Sequence, residues 1–348
     1  MMRIIILGGG FCGSLIAKEL DKQKNIEVVL IDKKGYFEYS PSLWKILINK
    51  ENHKKYIVPF TKFLKHTRLI TTSILRVTPQ FVETESEKLM YDYLVISTGI
   101  EYPIYLENTK NVITIKSGVE VVQNYEKIVN AKTILIIGGG LIGTEIAGEL
   151  ATRSLKKQII LVHSHDRLLE RNRTNVSLYA KRFLESHGIT ILLGEKVIDH
   201  RNGTFITDTK RLISADIGIW CAGIQSNPWF MKDFPSSIFT RNNALTVNRF
   251  LQLEGYSNIF VGGDITNIAE EKTALNAERH GYLIGANLLR SIKRRKLIGY
   301  KSRKLPMIIS LGRTDAMFTC WMFLIPGFIP AVIKLIVEKV GMNRLYFH

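Results

Sequence analysis

Two segments of the chain are near copies of each other, "IIILGGGFCGSLIAKEL" (4–20) and "ILIIGGGLIGTEIAGEL" (134–150). Each runs a strand-like apolar stretch into G-x-G-x-x-G and continues with helix-like periodicity. The glycines are Gly8, Gly10 and Gly13 in the first copy and Gly138, Gly140 and Gly143 in the second. In a strand–loop–helix turn of this kind the first glycine permits the tight turn and the second lets a pyrophosphate approach the backbone. The third lets helix and strand pack closely. The helix then presents unpaired N–H groups and a positive dipole end to the phosphates. One such motif is weakly specific, so its context decides. A second strand, "IEVVLID", ends at Asp32, 24 residues after Gly8; its counterpart "QIILVHS" passes His163, 25 residues after Gly138. The chain is therefore expected to be α/β, with two Rossmann-like dinucleotide-binding domains.

The two units differ at the end of that second strand. Asp32 can accept hydrogen bonds from both hydroxyls of an adenosine ribose, which suits FAD or NAD and rejects a 2′-phosphate. The second unit has His163 there, followed by Ser164, His165 and Arg167, with Asp166 the nearest carboxylate. A 2′-phosphate would meet donors and a guanidinium. The second site is thus expected to accept NADPH as well as NADH. Two dinucleotides in one chain, one a flavin and one a nicotinamide, allow a hydride to pass between them.

The first unit continues to "YDYLVISTGI" (91–100), closing on Thr98 and Gly99; the second continues to "ADIGIWCAGI" (215–224), closing on Gly223. The stretches 68–90 and 189–214 read as β-meanders, the latter with a turn at Asn202-Gly203. "NIFVGGD" ends at Gly263 and Asp264, and a helix is expected over 273–292. These signals divide the chain into a first FAD part (1–114), a nicotinamide domain (115–243), a second FAD part (244–305) and a C-terminal region (306–348). The start, "MMRIIILGGG", has no signal-peptide pattern, and Met2 stands where N-myristoylation needs glycine.

In this order "GGGFCG" with Asp32, "VISTGI", "GGGLIGTE", "WCAGI" and "VGGDI" are highly specific. Over roughly residues 1–315 the chain resembles the two-dinucleotide-binding-domain flavoproteins. These include the pyridine nucleotide-disulfide oxidoreductases, the type II NADH dehydrogenases and the apoptosis-inducing-factor-like proteins. "GGGLIGTEIAGEL", "ILVHS", "ALTVNRFLQLEGYSNIFVGGDI" and "SLGRTDAM" are most similar to the quinone reductases of the ferroptosis-suppressor type, which accept NADH or NADPH. The resemblance implies that Gly8, Gly10 and Gly13 hold the FAD pyrophosphate and Asp32 its ribose. Thr98 and Gly99 would lie against the flavin, with Gly263 and Asp264 at its ribityl or pyrophosphate. Lys272 and Thr273 would reach toward the isoalloxazine. Gly138, Gly140, Gly143 and Gly223 would hold the nicotinamide dinucleotide, with Glu145 near its nicotinamide end. Helix-dipole compensation is the plainer role for that glutamate.

Departures from the family narrow the chemistry. The three cysteines, Cys12, Cys221 and Cys320, stand far apart. "KKGYFEYSPSLWKIL" (33–47), where the disulfide reductases carry their redox pair, has no cysteine. A dithiol relay is excluded, and no metal motif is present. The glutamine-bearing motif of the type II dehydrogenases is not reproduced either. Reduced flavin then needs a diffusing acceptor, a quinone for preference. Net charge is +17, concentrated in "SIKRRKLIGYKSRKL" (291–305), and 18 uncharged residues run from Ala316 to Ile333, broken by Pro326 and Pro330. With "AVIKLIVEKV" (331–340) this reads as a peripheral anchor on an anionic membrane surface, on the reducing, cytoplasmic side. A buried hairpin or a homodimer contact would use the same residues. Reduction of a soluble acceptor, such as a ferredoxin-like protein, and a non-enzymatic redox sensor are the alternatives; nucleic acid is not favoured.

Overall fold

A computed structural model describes residues 1–153, 157–226 and 228–346. Two five-stranded parallel sheets share four equivalent strands in the same order and differ in where the fifth, an edge strand, comes from in the chain. In the first, the order is 259–261, 93–96, 2–7, 26–32, 68–71. In the second it is 112–114, 217–220, 133–137, 158–163, 190–193. In each, the strand that enters the glycine loop lies at the centre. The crossover direction reverses there, which opens a crevice at the carboxyl ends of the strands.

The central strands are apolar on both faces because helices and meanders cover both faces. Ile4 and Ile6 pack toward the helices Phe11–Leu20 and Ala274–Ile292, while Ile5 and Leu7 pack on the opposite side. The second unit repeats this, with Ile134 and Ile136 on one face and Leu135 and Ile137 on the other. The helices Phe11–Leu20 and Ala274–Ile292 approach closely at Gly281, where a Cβ would lie 2.9 Å from the carbonyl oxygen of Cys12. Larger residues there would push the two helices apart.

The stretches 68–90 and 189–214 divide differently from the expected meanders. Arg68–Thr71 and Thr190–Leu193 are outer strands of the parallel sheets. The antiparallel meanders are Ile74–Val77, Phe81–Thr84, Lys88–Met90 and Val197–Arg201, Thr204–Thr207, Leu212–Ser214. Short apolar alternation does not reveal whether a strand's partner runs parallel. The Asn202-Gly203 turn forms, with φ of 49° and 80°, the positive pair that such hairpins need.

The C-terminal region is a three-stranded antiparallel sheet followed by the helix Phe328–Tyr346. Both prolines of the uncharged run find permitted places. Pro326 lies in the edge strand Leu324–Gly327 and Pro330 in the first turn of the helix. Among the described residues no helix is long and apolar enough to cross a membrane.

Candidate functional site

The first glycine loop is built by steric necessity. A Cβ on Gly8 (φ +91°) would lie 2.5 Å from the Ser97 carbonyl oxygen, and one on Gly13 would lie 1.9 Å from the Gly8 oxygen. Gly10 is different, for a Cβ there meets nothing within 4 Å. Protein packing does not demand that glycine; open space above it does. No side chain caps the helix that follows, so its N-terminus is left for an anion. Asp32 closes the loop, accepting from the Gly9 N–H at 2.6 Å and the Lys34 N–H at 2.7 Å.

Around this loop stand the other residues expected at a flavin. The Thr98 hydroxyl is buried and has no hydrogen-bond partner among the described residues. Gly99 (φ +72°) faces open space. Buried polar groups are normally satisfied, so an orphaned hydroxyl beside open space fits a polar ligand such as FAD. Gly263 (φ +76°) packs against Cys12 of the loop helix, and its N–H donates to His280 Nδ1 at 3.0 Å. Burial pushes the Asp264 carboxyl up to about 6, against the opposing pull of Lys272. The Lys272 ammonium donates to the Thr266 carbonyl at 2.7 Å, and burial lowers its pKa. Thr273 caps the helix Ala274–Ile292 through the Asn276 N–H. Lys272 and Thr273 thus shape the Asp264 segment by their contacts within the chain.

Three further residues were not legible as part of this site. Tyr102 is held protonated by burial, with the nearby Asp264 and Cys221 acting in the same direction. His280, lowered to about 4 by burial, supports the Gly263 amide. Glu270 sits 3.0 Å from His280 Nε2 and accepts from the Tyr300 hydroxyl at 2.9 Å. A buried histidine in a helical pattern gives no sequence signal of the glycine amide it supports.

The second loop repeats the first. A Cβ on Gly138 (φ +109°) would lie 2.9 Å from the Cys221 carbonyl, and one on Gly143 would lie 1.8 Å from the Gly138 oxygen; Gly140 again faces open space. Gly223 (φ +67°) lies just past the strand Ile217–Trp220, beside Tyr105. His163 takes the place of Asp32, its Nδ1 accepting the Gly139 N–H at 3.1 Å. The expected donors do not gather for a phosphate. His163 is buried, and Arg167 donates to the Glu170 carbonyl at 2.6 Å, the Asn172 carbonyl at 3.2 Å and the Thr174 hydroxyl at 3.4 Å. Ser164 remains exposed and pairs with His165 at 3.3 Å.

Glu145 is buried one turn into the loop helix. Its Oε1 accepts the Ser310 N–H at 3.0 Å and the Lys334 ammonium at 2.7 Å. Lys334 also donates to the Ile308 carbonyl at 3.0 Å, and Glu338 pairs with Lys45. The C-terminal helix thus turns Lys334 and Glu338 inward, while Lys339 stays exposed. Outward it shows Phe328, Ile329, Leu335, Ile336 and Val337, beside Trp321, Met322 and Phe323 of the preceding turn. A helical pattern reveals an apolar face but not which face meets the protein.

Residues 2–281 match the family model of the pyridine nucleotide-disulphide oxidoreductases. The chain belongs to that family. It is an oxidoreductase built to use FAD and a nicotinamide, NADH or NADPH. It is 31% identical over 341 residues to apoptosis-inducing factor homolog A of Dictyostelium discoideum, covering 89% of this chain and 82% of that protein. It is 27% identical over 330 residues to human ferroptosis suppressor protein 1, covering 90% and 87%. The fold is that of NDH2 from Plasmodium falciparum, solved in complex with NADH, with a TM-score of 0.88 at 16% identity over 98% of this chain and 94% of that one. The sulfide:quinone oxidoreductase of Aquifex aeolicus gives 0.87 at 19%, over 99% and 92%. The disulphide of the family name has no counterpart among the three cysteines, all of which are free. Burial pushes the Cys221 thiol up to about 12 and Cys12 higher still, so neither is a thiolate nucleophile.

Proposed function

We propose that this protein passes a hydride from NADH or NADPH to FAD and the electrons onward to a quinone at a membrane surface. The observation that carries the reading is the C-terminal helix, which buries Lys334 and Glu338 against the nucleotide-binding units and presents apolar side chains outward. An exposed apolar face of this kind, with Trp321 72% and Phe328 65% exposed, marks an interaction surface. A lipid-soluble acceptor gives it a use.

The chain's own residues supply position. Gly10 and Gly140 leave room for two pyrophosphates, and the uncapped helices behind them offer N–H groups. Asp32 would hold the FAD ribose, while Thr98, Gly99, Gly263 and Asp264 would line the flavin. Lys272 would keep Asp264 ionised and in place. Gly138, Gly143 and Gly223 would shape the nicotinamide site. Glu145 would tie the membrane-facing helix to that site through Lys334 instead of acting as a free carboxylate. Bound FAD supplies the redox chemistry, and proximity of the two rings supplies much of the rate. The basic run 293–304, largely exposed, would favour anionic headgroups.

An anaerobic mixing experiment tests this. The purified flavoprotein is mixed with NADH or NADPH, flavin absorbance is followed, and a short-chain ubiquinone is then added. Bleaching followed by rapid recovery supports the reading. Bleaching without recovery removes the quinone and moves the search to a soluble acceptor. No bleaching with either donor removes the reductase itself.

A further inference from the structure

We infer that Glu170 makes the second nucleotide site select NADH over NADPH, doing in that unit half of what Asp32 does in the first. This rests on the second unit binding a nicotinamide dinucleotide. Asp32 has two tasks: it accepts the amide of the glycine loop (Gly9 N–H, 2.6 Å) and places a negative charge at the strand end. In the second unit His163 takes only the first task, accepting the Gly139 N–H at 3.1 Å. The charge arrives from elsewhere, because the Glu170 carboxylate lies 3.2 Å from His163 Nε2.

The chain holds Glu170 there firmly. Leu169, just before it, adopts φ +51°, a left-handed conformation that a leucine takes only when its surroundings impose it. Its N–H donates to the Gly139 carbonyl at 2.9 Å, and Leu168 and Leu169 are both buried. The turn is therefore fastened to the glycine loop itself. The Glu170 side chain remains 25% exposed and within reach of a ligand.

Its charge is only partly offset, by one solvent-exposed ion pair with Arg171 at 3.8 Å. With Nδ1 accepting from Gly139, neutral His163 carries its proton on Nε2 and donates it to Glu170. Burial lowers the His163 pKa against the pull of Glu170, which favours that neutral form. The three arginines of this turn are occupied. Arg167 is held by the Glu170 and Asn172 carbonyls, and Arg173 by the Trp321 and Met322 carbonyls. Arg171 lies 3.8 Å from Glu170 and 3.7 Å from Glu271, shared between them and mostly in water. A ribose 2′-hydroxyl can donate to Glu170, whereas a 2′-phosphate meets a like charge.

The same tautomer argues against a metal here. His163, His165 and Glu170 bring their ligand atoms within 4.8 Å of one another. A metal on Nε2 would force the proton to Nδ1, opposite the Gly139 N–H donor.

The test is calorimetric titration of the FAD-loaded protein with NAD⁺ and with NADP⁺. NAD⁺ is expected to bind more than about tenfold tighter. Glu170→Gln should raise NADP⁺ affinity about tenfold or more and change NAD⁺ affinity less than about threefold. Glu170→Asp should keep the preference for NAD⁺. Arg167→Ala should affect both nucleotides alike. Equal wild-type affinities, an unchanged ratio in Glu170→Gln at normal flavin content, or selective loss of NADP⁺ in Arg167→Ala would overturn the inference alone. Binding of neither nucleotide would overturn the reductase reading along with it.

Discussion

Replacing Lys334 by methionine keeps most of the side-chain volume and removes one charge. The carboxylate it leaves behind, Glu145, is 11% exposed and retains only the Ser310 N–H. At 2.7 Å and an effective dielectric constant near 20, the gross attraction lost is about 6 kcal/mol. Desolvation of both ions offsets much of it. Removing one partner of a buried pair costs about 3–5 kcal/mol, because the other charge stays buried. The remaining N–H contact and partial exposure place Lys334→Met near the lower end, at about 3 kcal/mol. Glu145→Gln should cost about 2 kcal/mol, since the amide still accepts from Ser310. The double variant should cost less than the two together by about 2 kcal/mol, because neither charge is then orphaned. Urea unfolding of the four FAD-loaded proteins measures all three values. Strict additivity, within about 0.5 kcal/mol, would refute the pairing and with it the inward orientation of the C-terminal helix.

The two kinds of loop glycine should behave differently. Gly13→Ala, with its Cβ 1.9 Å from a carbonyl oxygen, should fail to fold or lose its flavin with a large drop in melting temperature. Gly10→Ala, whose Cβ meets nothing within 4 Å, should melt normally without FAD and bind FAD poorly. Thr98→Val should leave the FAD-free protein as stable or slightly more so, since a buried unpartnered hydroxyl is removed. Its FAD affinity, read by fluorescence titration, should fall about three- to tenfold. Asp264 supplies a pH signature. Its folded pKa of about 6 lies above the usual 3.8, so ionisation opposes folding as pH rises from about 4 to about 6. Asp264→Asn should therefore stabilise the FAD-free protein by up to about 3 kcal/mol above pH 6 and by almost nothing near pH 4. Urea midpoints at the two pH values check this, and a gain that grew toward low pH would be the wrong sign.

The glycine loops could be read from the chain alone because each glycine answers a separate local demand, and a local demand leaves a local signature. The twofold repeat gave the parallel α/β sheets for the same reason. Arg68–Thr71 was misread because a four-residue strand carries no mark of its partner's direction. The pairing of Lys334 with Glu145 leaves no sign in the sequence because the two lie 189 residues apart, a distance over which patterning is silent. Arg167 looked available, yet three acceptors on its own turn hold it. Glu170 was invisible at the second strand's end because a single residue with positive φ brings it back there.

The last strand of the first sheet, Ile259–Val261, comes from the far side of the second unit. Every strand of the second sheet lies between residues 112 and 220. During synthesis the second sheet can therefore close while the first still has an open edge along Tyr93–Ile96, and an open parallel edge invites pairing with other chains. Asp264 also emerges with that final strand. If Asp264 helps to hold the flavin, as proposed, flavin capture follows the closing of that edge and cannot protect the half-built N-terminal sheet.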